Sequence, residues 1–318
     1  MDMSNLLGWI EPDARTNEQT NIHDEIMSTL PKLSFAGASP PPVGTVKLLT
    51  DLWKHPRVVS LLGQPFTGIH QLTGSCVWAG GQNVGFTRCC VDVLINDEFE
   101  ELIYPFMLGN YGQSRLLGGM RGKGEGSFGS TFAKSCGKDG SPNNKINGIP
   151  NFTGIDNGYY YSTGIEYAWS DGTNVPNSQV MTEGRNHLDK VVELDSADAV
   201  REMLLANNPV TNAYGQYIGS NVRTVGSGNE QIVVGTYNTS GGHQTSYLGY
   251  AHLSHGEYFL YMNQWPRSYY PIPGLGAPIG AIWTPKSEVE KVCKSGDGEV
   301  FAWLDKNGYV PPTFSYRV

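Results

Sequence analysis

The chain has 318 residues, which exceeds one compact domain of ordinary size but allows a single two-lobed unit. Hydrophobic residues make up 39% and charged residues 16%, with 40 glycines and 17 tyrosines, so we expect many turns and irregular loops rather than long amphipathic helices. The formal net charge is −8, and no run of lysine and arginine could neutralise a track of phosphates, which argues against nucleic acid as a partner. Composition therefore favours a loop-rich α+β or β protein.

Membrane, secretory and metal-binding classes are disfavoured by the same reading. No stretch of 18 apolar residues is present, and the N-terminus lacks the basic and apolar regions of a secretory signal, so we expect a protein made in a cytoplasm without a membrane partner. Five scattered cysteines do not form the dense, even set of a disulfide scaffold. The sequence has no Cys-x-x-Cys pair, and the His252 and His255 pair has no obvious third ligand, so neither metal nor cofactor is predicted.

Residues 1–60 are predicted to form an N-terminal extension. A short helix is expected around residues 23–30, followed by the breaker run Ser-Pro-Pro-Pro at residues 39–42. The apolar spacing over residues 46–53 predicts one more short helix, ended by Pro56. We expect the extension either to pack as a permanent part of the fold or to dock onto a partner.

A largely buried helix is predicted from Cys76 to about Ile95, with Gly74 and Ser75 as its cap. Gly80 and Gly81 lower the helix propensity of this stretch without interrupting its apolar spacing. A helix that begins at a cysteine directs free N–H groups and the positive end of its dipole at the sulfur, which lowers the thiol pKa. Cys76 is therefore the first candidate for chemistry.

A glycine-rich stretch follows over residues 117–130, and Gly124, Gly126 and Gly129 form a G-x-G-x-x-G string. No apolar strand precedes the string and no βαβ pattern follows it, so a dinucleotide site is not predicted. We expect a loop that leads into a short helix over residues 130–136.

From about Gly158 onward, clusters of tyrosine, valine and isoleucine alternate with turn residues, which predicts an antiparallel β lobe. One helix over residues 196–205 interrupts it, with a serine at its start and Asn-Asn-Pro at its end. The clearest strands are residues 232–237, 244–250 and 258–262.

Three segments of the sequence together carry the residue types of thiol peptidase chemistry. That chemistry needs a thiolate, an imidazole, a group that holds the imidazole, and donors for an oxyanion. Gln71 lies just before Cys76, His243 starts a predicted strand after two glycines, and Asn263 ends the neighbouring strand. Each residue alone is more often structural, so the prediction depends on their joint pattern.

In content and chain order these segments resemble the papain-like cysteine peptidases, through Gly-Ser-Cys at the start of a helix, a histidine followed by Gly-Tyr, and a strand ending in Asn-x-Trp. The resemblance implies a two-lobed α+β fold, with a helical lobe over residues 61–157 that carries the cysteine helix. It also implies a β-barrel-like lobe over residues 158–318 that carries the histidine and the asparagine.

The same resemblance implies a role for each candidate residue in an enzyme that hydrolyses peptide or protein substrates. Cys76 would be the nucleophile, His243 its base and Asn263 the residue that orients the base. Gln71, with the backbone N–H of the cysteine, would form the oxyanion hole, and Trp265 would shield the histidine–asparagine bond. Gly124, Gly126 and Gly129 would line the wall along which substrate backbone lies.

Two departures from the family pattern predict altered local geometry. Gln71 lies five residues before the cysteine instead of six, and His70 occupies the usual glutamine position. The aromatic residue that usually follows the cysteine directly is displaced by one, to Trp78. We therefore expect a different turn before the cysteine helix.

Two other functions stay open at this stage. The sequence around residues 161–172 resembles papain-like proteins of bacteriophages, which favours a phage particle or infected cell as the setting. The chain could then be a virion structural protein with residual or single-use catalysis, whose extension binds other virion proteins. The other candidate function is that of a peptidoglycan amidase of the related Cys–His class.

Overall fold

The structure is a computed structural model that describes residues 6–35, 39–96, 102–120, 122–140, 142, 162–170 and 190–304. The predicted domain boundaries at residues 60 and 157 stay predictions, and the second of them lies outside the described residues, as do residues 158–161 and 171–189 of the predicted β lobe.

The first half of the chain is mainly helical and surrounds one long helix. The helices are α1 (Asn17–Thr29), α2 (Pro56–Leu62), α3 (Cys76–Leu94), α4 (Met107–Leu117), α5 (Gly129–Asp139) and α6 (Thr163–Ser170). Helix α3 confirms the predicted cysteine helix, and its side chains are almost all buried. At Gly81 a Cβ would lie 2.2 Å from the ring of Phe132 on α5, so the glycines that weaken helix propensity permit close packing of the two helices.

Within the described residues, the second half of the chain forms most of a mainly antiparallel sheet with two helices on it, and two short strands of the N-terminal extension complete the sheet. Helices α7 (Ala197–Leu205) and α8 (Lys286–Lys294) join ten strands. The strands are β1 (Lys32–Leu33), β2 (Thr45–Leu48), β3 (Lys190–Leu194), β4 (Val210–Ile218), β5 (Arg223–Val225), β6 (Ile232–Val234), β7 (Tyr237–Leu253), β8 (Gly256–Met262), β9 (Ala281–Pro285) and β10 (Glu299–Leu304). The predicted α+β class is confirmed.

The strands form one sheet in the order β1-β3-β10-β4-β7-β8-β9-β6-β5, with β2 paired to β7 off this path. Strand β7 is its centre, because it pairs antiparallel with β4, β8 and β2. Helix α3 packs against β7, so the first turn of the cysteine helix meets the strand that contains His243.

Two elements differ from the sequence predictions. Residues 46–53 do not form a helix, because residues 45–48 pair with residues 249–252 of β7 as strand β2, and a 3₁₀ turn covers residues 49–54. Pro56 begins helix α2 rather than ending a helix, as expected for a residue that lacks an N–H and has a fixed φ at the first helical position. Residues 163–170, placed by sequence in the β lobe, form helix α6.

The described part of the N-terminal extension packs on the rest of the molecule. Helix α1 starts at a capping box of Thr16 and Gln19 and lies against α5. The side chain of Arg15, just before it, is buried, and its guanidinium lies 2.6 Å from the carboxylate of Glu299 on β10. The described residues of the extension therefore belong to the folded structure.

Candidate active site

Three residues predicted by sequence meet at the contact between α3 and the sheet. Cys76 is the first residue of α3, His243 lies within β7, and Asn263 follows the last residue of β8. The Nε2 atom of His243 lies 3.0 Å from Oδ1 of Asn263. The sulfur of Cys76 accepts a hydrogen bond of 3.3 Å from the backbone N–H of Gln244, the residue after the histidine.

The histidine ring is held in place by an aromatic neighbour. Trp265 stacks on His243 with ring centroids 4.7 Å apart and an angle of 24° between the planes. Asn263 is fixed in turn, because its side-chain amide donates to the hydroxyl of Tyr270 at 3.0 Å. The other ring nitrogen, Nδ1 of His243, is buried and has no hydrogen-bond partner among the described residues. The imidazole thus has one nitrogen engaged and one available.

The site is covered by the chain's own residues 6–10, here called the covering segment. The backbone N–H groups of Gly8 and Trp9 lie close enough to the sulfur of Cys76 to lower the pKa of its thiol. The side-chain amide of Gln71 donates to the carbonyl oxygen of Leu6 at 2.6 Å. The predicted oxyanion donor therefore binds a carbonyl of this segment.

Backbone hydrogen bonds hold the covering segment on both sides. Ser127 of the glycine-rich loop donates to the Gly8 carbonyl at 2.8 Å and accepts from Ile10 at 3.0 Å. On the opposite side, the N–H of Trp9 donates to the carbonyl of Gly242, the residue before the histidine, at 3.4 Å. The segment therefore spans the gap between the glycine-rich loop and β7.

Gly8 is the point of closest approach in this arrangement. A Cβ at this position would lie 1.7 Å from the backbone oxygen of Gly74, so no other residue fits without a shift of the backbone. Its backbone does not need a left-handed conformation, because its φ is not positive. The absence of a side chain is what allows the segment to reach the cysteine.

Burial keeps both reactive groups neutral in this state. Cys76 and His243 are 0% and 2% exposed. Burial raises the pKa of the Cys76 thiol to about 11, although hydrogen bonds from backbone N–H groups lower it. Burial also lowers the pKa of His243 to about 4, although its bond to Asn263 raises it. A covered thiol and a covered imidazole therefore do not form the charged pair that thiol catalysis uses.

The three predicted substrate-binding glycines lie in different surroundings. Gly126 is buried against the covering segment, where a Cβ would lie 2.9 Å from the Gly8 carbonyl oxygen. Gly124 is exposed with open space around it. Gly129 begins α5 and faces Glu299. Of the three, Gly126 is the glycine that contacts the covering segment.

Three residues at the site were not among the site residues predicted from the sequence. Ser127 pairs with the covering segment, and Glu125 and Glu166 accept hydrogen bonds from the loop before Cys76. The glycine-rich stretch marked the first two as part of a binding wall, but nothing local marked Glu166. Its contacts link positions more than ninety residues apart in sequence.

Comparison with solved structures identifies the fold. The structure is similar to xylellain, a cysteine protease from Xylella fastidiosa, with a TM-score of 0.59, 14% identity, and coverage of 95% of this chain and 97% of that one. It is also similar to procathepsin B of Trypanosoma congolense, with a TM-score of 0.50, 14% identity, and coverage of 88% and 84%. Procathepsin L2 from the larval midgut of Tenebrio molitor gives a TM-score of 0.50, 13% identity, and coverage of 95% and 84%.

The chain therefore has the mixed α+β fold of papain-like cysteine proteases. No protein-family model matches the sequence, and the sequence comparison finds no matching curated protein. No helix within the described residues has both the length and the apolar character needed to span a membrane.

Proposed function

We propose that this chain is a papain-like cysteine endopeptidase that its own N-terminal residues hold in a latent state. The observation that carries the proposal is the single cluster of Cys76, His243 and Asn263 beneath the covering segment, with Gln71 already bound to a peptide carbonyl. A peptide backbone thus occupies the position that a substrate would need. Two of the similar structures are proenzymes by name, which agrees with a chain that carries its own inhibitory segment.

In the proposed mechanism, release of the covering segment exposes Cys76 and His243 to water and lets the thiol proton pass to the imidazole. The Cys76 thiolate attacks the carbonyl carbon of a peptide, and the resulting oxyanion accepts hydrogen bonds from Gln71 and the start of α3. The imidazolium gives its proton to the leaving amine, and water then hydrolyses the thioester. Asn263 and Trp265 keep the imidazole in one orientation.

The test uses the full chain with Gly8→Ala, which forces the covering segment off the cysteine, and a library of quenched fluorescent peptides. We expect cleavage about 5- to 150-fold faster than by the unmodified chain, in proportion to the uncovered fraction. Adding Cys76→Ala must abolish the cleavage, whereas adding Cys90→Ala, which changes a buried cysteine of the same helix, must leave it in place.

A structural role without turnover is the second candidate, and the neutral thiol and imidazole favour it. In this reading the chain is a component of a bacteriophage particle that has kept the fold, and its extension contacts other virion proteins. A Gly8→Ala chain that exposes Cys76 but cleaves no peptide would favour this candidate over the peptidase.

A further inference from the structure

The loop of residues 71–75, here called the cysteine loop, is tied to one buried carboxylate. Glu166 of α6 is 0% exposed. The backbone N–H of Leu72 lies 3.3 Å from both of its oxygens. The hydroxyls of Thr73 and Ser75 donate to one of those oxygens at 2.9 and 3.0 Å. A single side chain from another element therefore binds three residues of the five-residue loop.

A second carboxylate binds the same loop from the other side. Glu125 of the glycine-rich loop accepts a hydrogen bond of 2.6 Å from the backbone N–H of Gly74. Tyr167, next to Glu166 on α6, donates to Glu125. Each residue between Gln71 and Cys76 thus has one donor engaged by a carboxylate.

These contacts replace the cap that the sequence predicts. Ser75 occupies the N-cap position of α3, but its side chain makes no capping bond to the helix. Its hydroxyl is instead held by Glu166. The direction in which the loop enters the helix is therefore set by α6 and not by the helix itself.

We propose that Glu166 is a positioning residue that holds the cysteine loop so that the side-chain amide of Gln71 points at the oxyanion position above Cys76. This inference rests on the peptidase function proposed above. Glu166 touches neither reactive group and acts only through Leu72, Thr73 and Ser75. The shortened spacing between the glutamine and the cysteine requires a turn of its own, and Glu166 stabilises that turn.

The energetics agree with this coupling. Burial raises the pKa of Glu166 to about 7, while hydrogen bonds from Thr73, Ser75 and Leu72 lower it and the nearby Glu125 raises it. The donors that Glu166 holds in place therefore stabilise its charged form. Burying a charged carboxylate costs more free energy when fewer hydrogen-bond donors surround it. The geometry of the cysteine loop and the negative charge of Glu166 therefore stabilise one another.

The experiment compares two reagents that react with Cys76 in the full chain. A peptide aldehyde adds the thiol across its carbonyl group: a C–S bond forms, the thiol proton moves to the oxygen, and that oxygen occupies the oxyanion position. Iodoacetamide alkylates the sulfur: a C–S bond forms, the C–I bond breaks, iodide and the thiol proton are released, and no oxyanion develops. Both reagents need the covering segment to open, so the ratio of aldehyde affinity to alkylation rate does not depend on how often it opens.

We expect Glu166→Gln to lower this ratio about tenfold, because the loop loses the bidentate acceptor of Leu72, and an affinity change of that size equals about 1.4 kcal/mol. Thr73→Val, which leaves the carboxyl in place, is expected to lower the ratio in the same direction. Gln71→Ala should lower it about 100-fold, the usual loss for an oxyanion donor. Glu25→Gln, the same exchange at an exposed site on α1, should leave the ratio unchanged.

The outcomes separate this inference from the function on which it rests. If the unmodified chain binds the aldehyde and Gln71→Ala lowers the ratio, but Glu166→Gln and Thr73→Val do not, the positioning role is wrong and the peptidase proposal stands. If the unmodified chain alkylates at Cys76 but never binds the aldehyde, the peptidase proposal fails and the positioning role fails with it. If Glu166 has only a structural role, its substitution changes both reactions by the same factor and leaves the ratio constant.

Discussion

Replacing Gly8 by alanine adds one methyl group at the closest contact of the covering segment. The new Cβ would lie 1.7 Å from the Gly74 carbonyl oxygen, whereas ordinary contacts begin at 3.4 Å. The backbone at this position must therefore move by about 1.7 Å, enough to break its 2.8 Å hydrogen bond with Ser127. The substitution creates no cavity and removes no side chain from the rest of the protein. It therefore changes the stability of the covered state alone.

The expected size follows from the cost of forcing a methyl group into a packed site, about 1–3 kcal/mol. Because 1.4 kcal/mol is a factor of ten, the fraction of chains with an uncovered site should rise about 5- to 150-fold. Alkylation of Cys76 by iodoacetamide at fixed pH should rise by the same factor, since the thiol reacts only from the uncovered state. Mass spectrometry locates the label and gives its rate.

Two controls isolate local opening from loss of structure. Gly296→Ala is the matched exchange, because a Cβ there meets nothing within 4 Å and the backbone φ is not positive. Cys90, fully buried in the middle of α3, reports unfolding of the whole helix. If Gly8→Ala leaves the labelling of Cys76 unchanged, or raises it only together with that of Cys90, the covering segment does not shield the site.

Other predictions concern pH and a buried ion pair. In the unmodified chain, alkylation of Cys76 should keep rising from pH 9 towards 11 instead of levelling off near 9, because the neutral thiol stabilises the covered state and this stabilisation is lost over that range. The neutral imidazole of His243 stabilises the covered state above pH 6.5, and about 3 kcal/mol of this stabilisation is lost as pH falls towards 4. Hydrogen exchange at residues 6–10, corrected for its intrinsic rate, should therefore accelerate about 100-fold over this range. Glu299→Gln removes the charged partner of the buried Arg15 guanidinium at a cost of about 3–5 kcal/mol, which should increase hydrogen exchange in the same segment, because Arg15 also binds the Ile10 carbonyl.

Each of these predictions has an outcome that would contradict it. Fast alkylation of the intact chain at pH 6 would show that the thiol is already ionised and the site open. Hydrogen exchange of the segment that does not depend on pH would exclude the imidazole as the group that controls it. For the ion pair, Glu18→Gln at an exposed position of α1 is the matched control, and an equal effect there would refute the role of Glu299.

The sequence predicted the cysteine helix and the three candidate residues because their signals are local or nearly so. Apolar spacing from Cys76 onward and a Gly-Ser start are enough for a helix, and β-branched and aromatic runs are enough for β7 and β8. The spatial meeting of the cysteine with the histidine could be predicted only through the resemblance to a known fold. Its geometry came from the structure.

Long-range contacts explain what the sequence could not predict. Residues 46–48 have an apolar spacing that suits a short helix, but they form a strand because they pair with β7. Gly8 carries no local sign that it faces a backbone carbonyl 66 residues away. Glu166 lies in an ordinary helical stretch, and no local pattern indicates that it is buried. Its buried carboxylate accepts hydrogen bonds from the distant cysteine loop, which only the structure shows.

The covering segment belongs to the same molecule as the site that it covers. A tethered segment experiences an effective concentration fixed by the connecting chain, and this value does not change with the amount of protein in solution. Dilution removes a separate inhibitor protein from its target, but it leaves this arrangement intact. Any peptide that reaches Cys76 must therefore outcompete a neighbour that is always present, so the latent fraction should be the same in a dilute assay as in a concentrated stock.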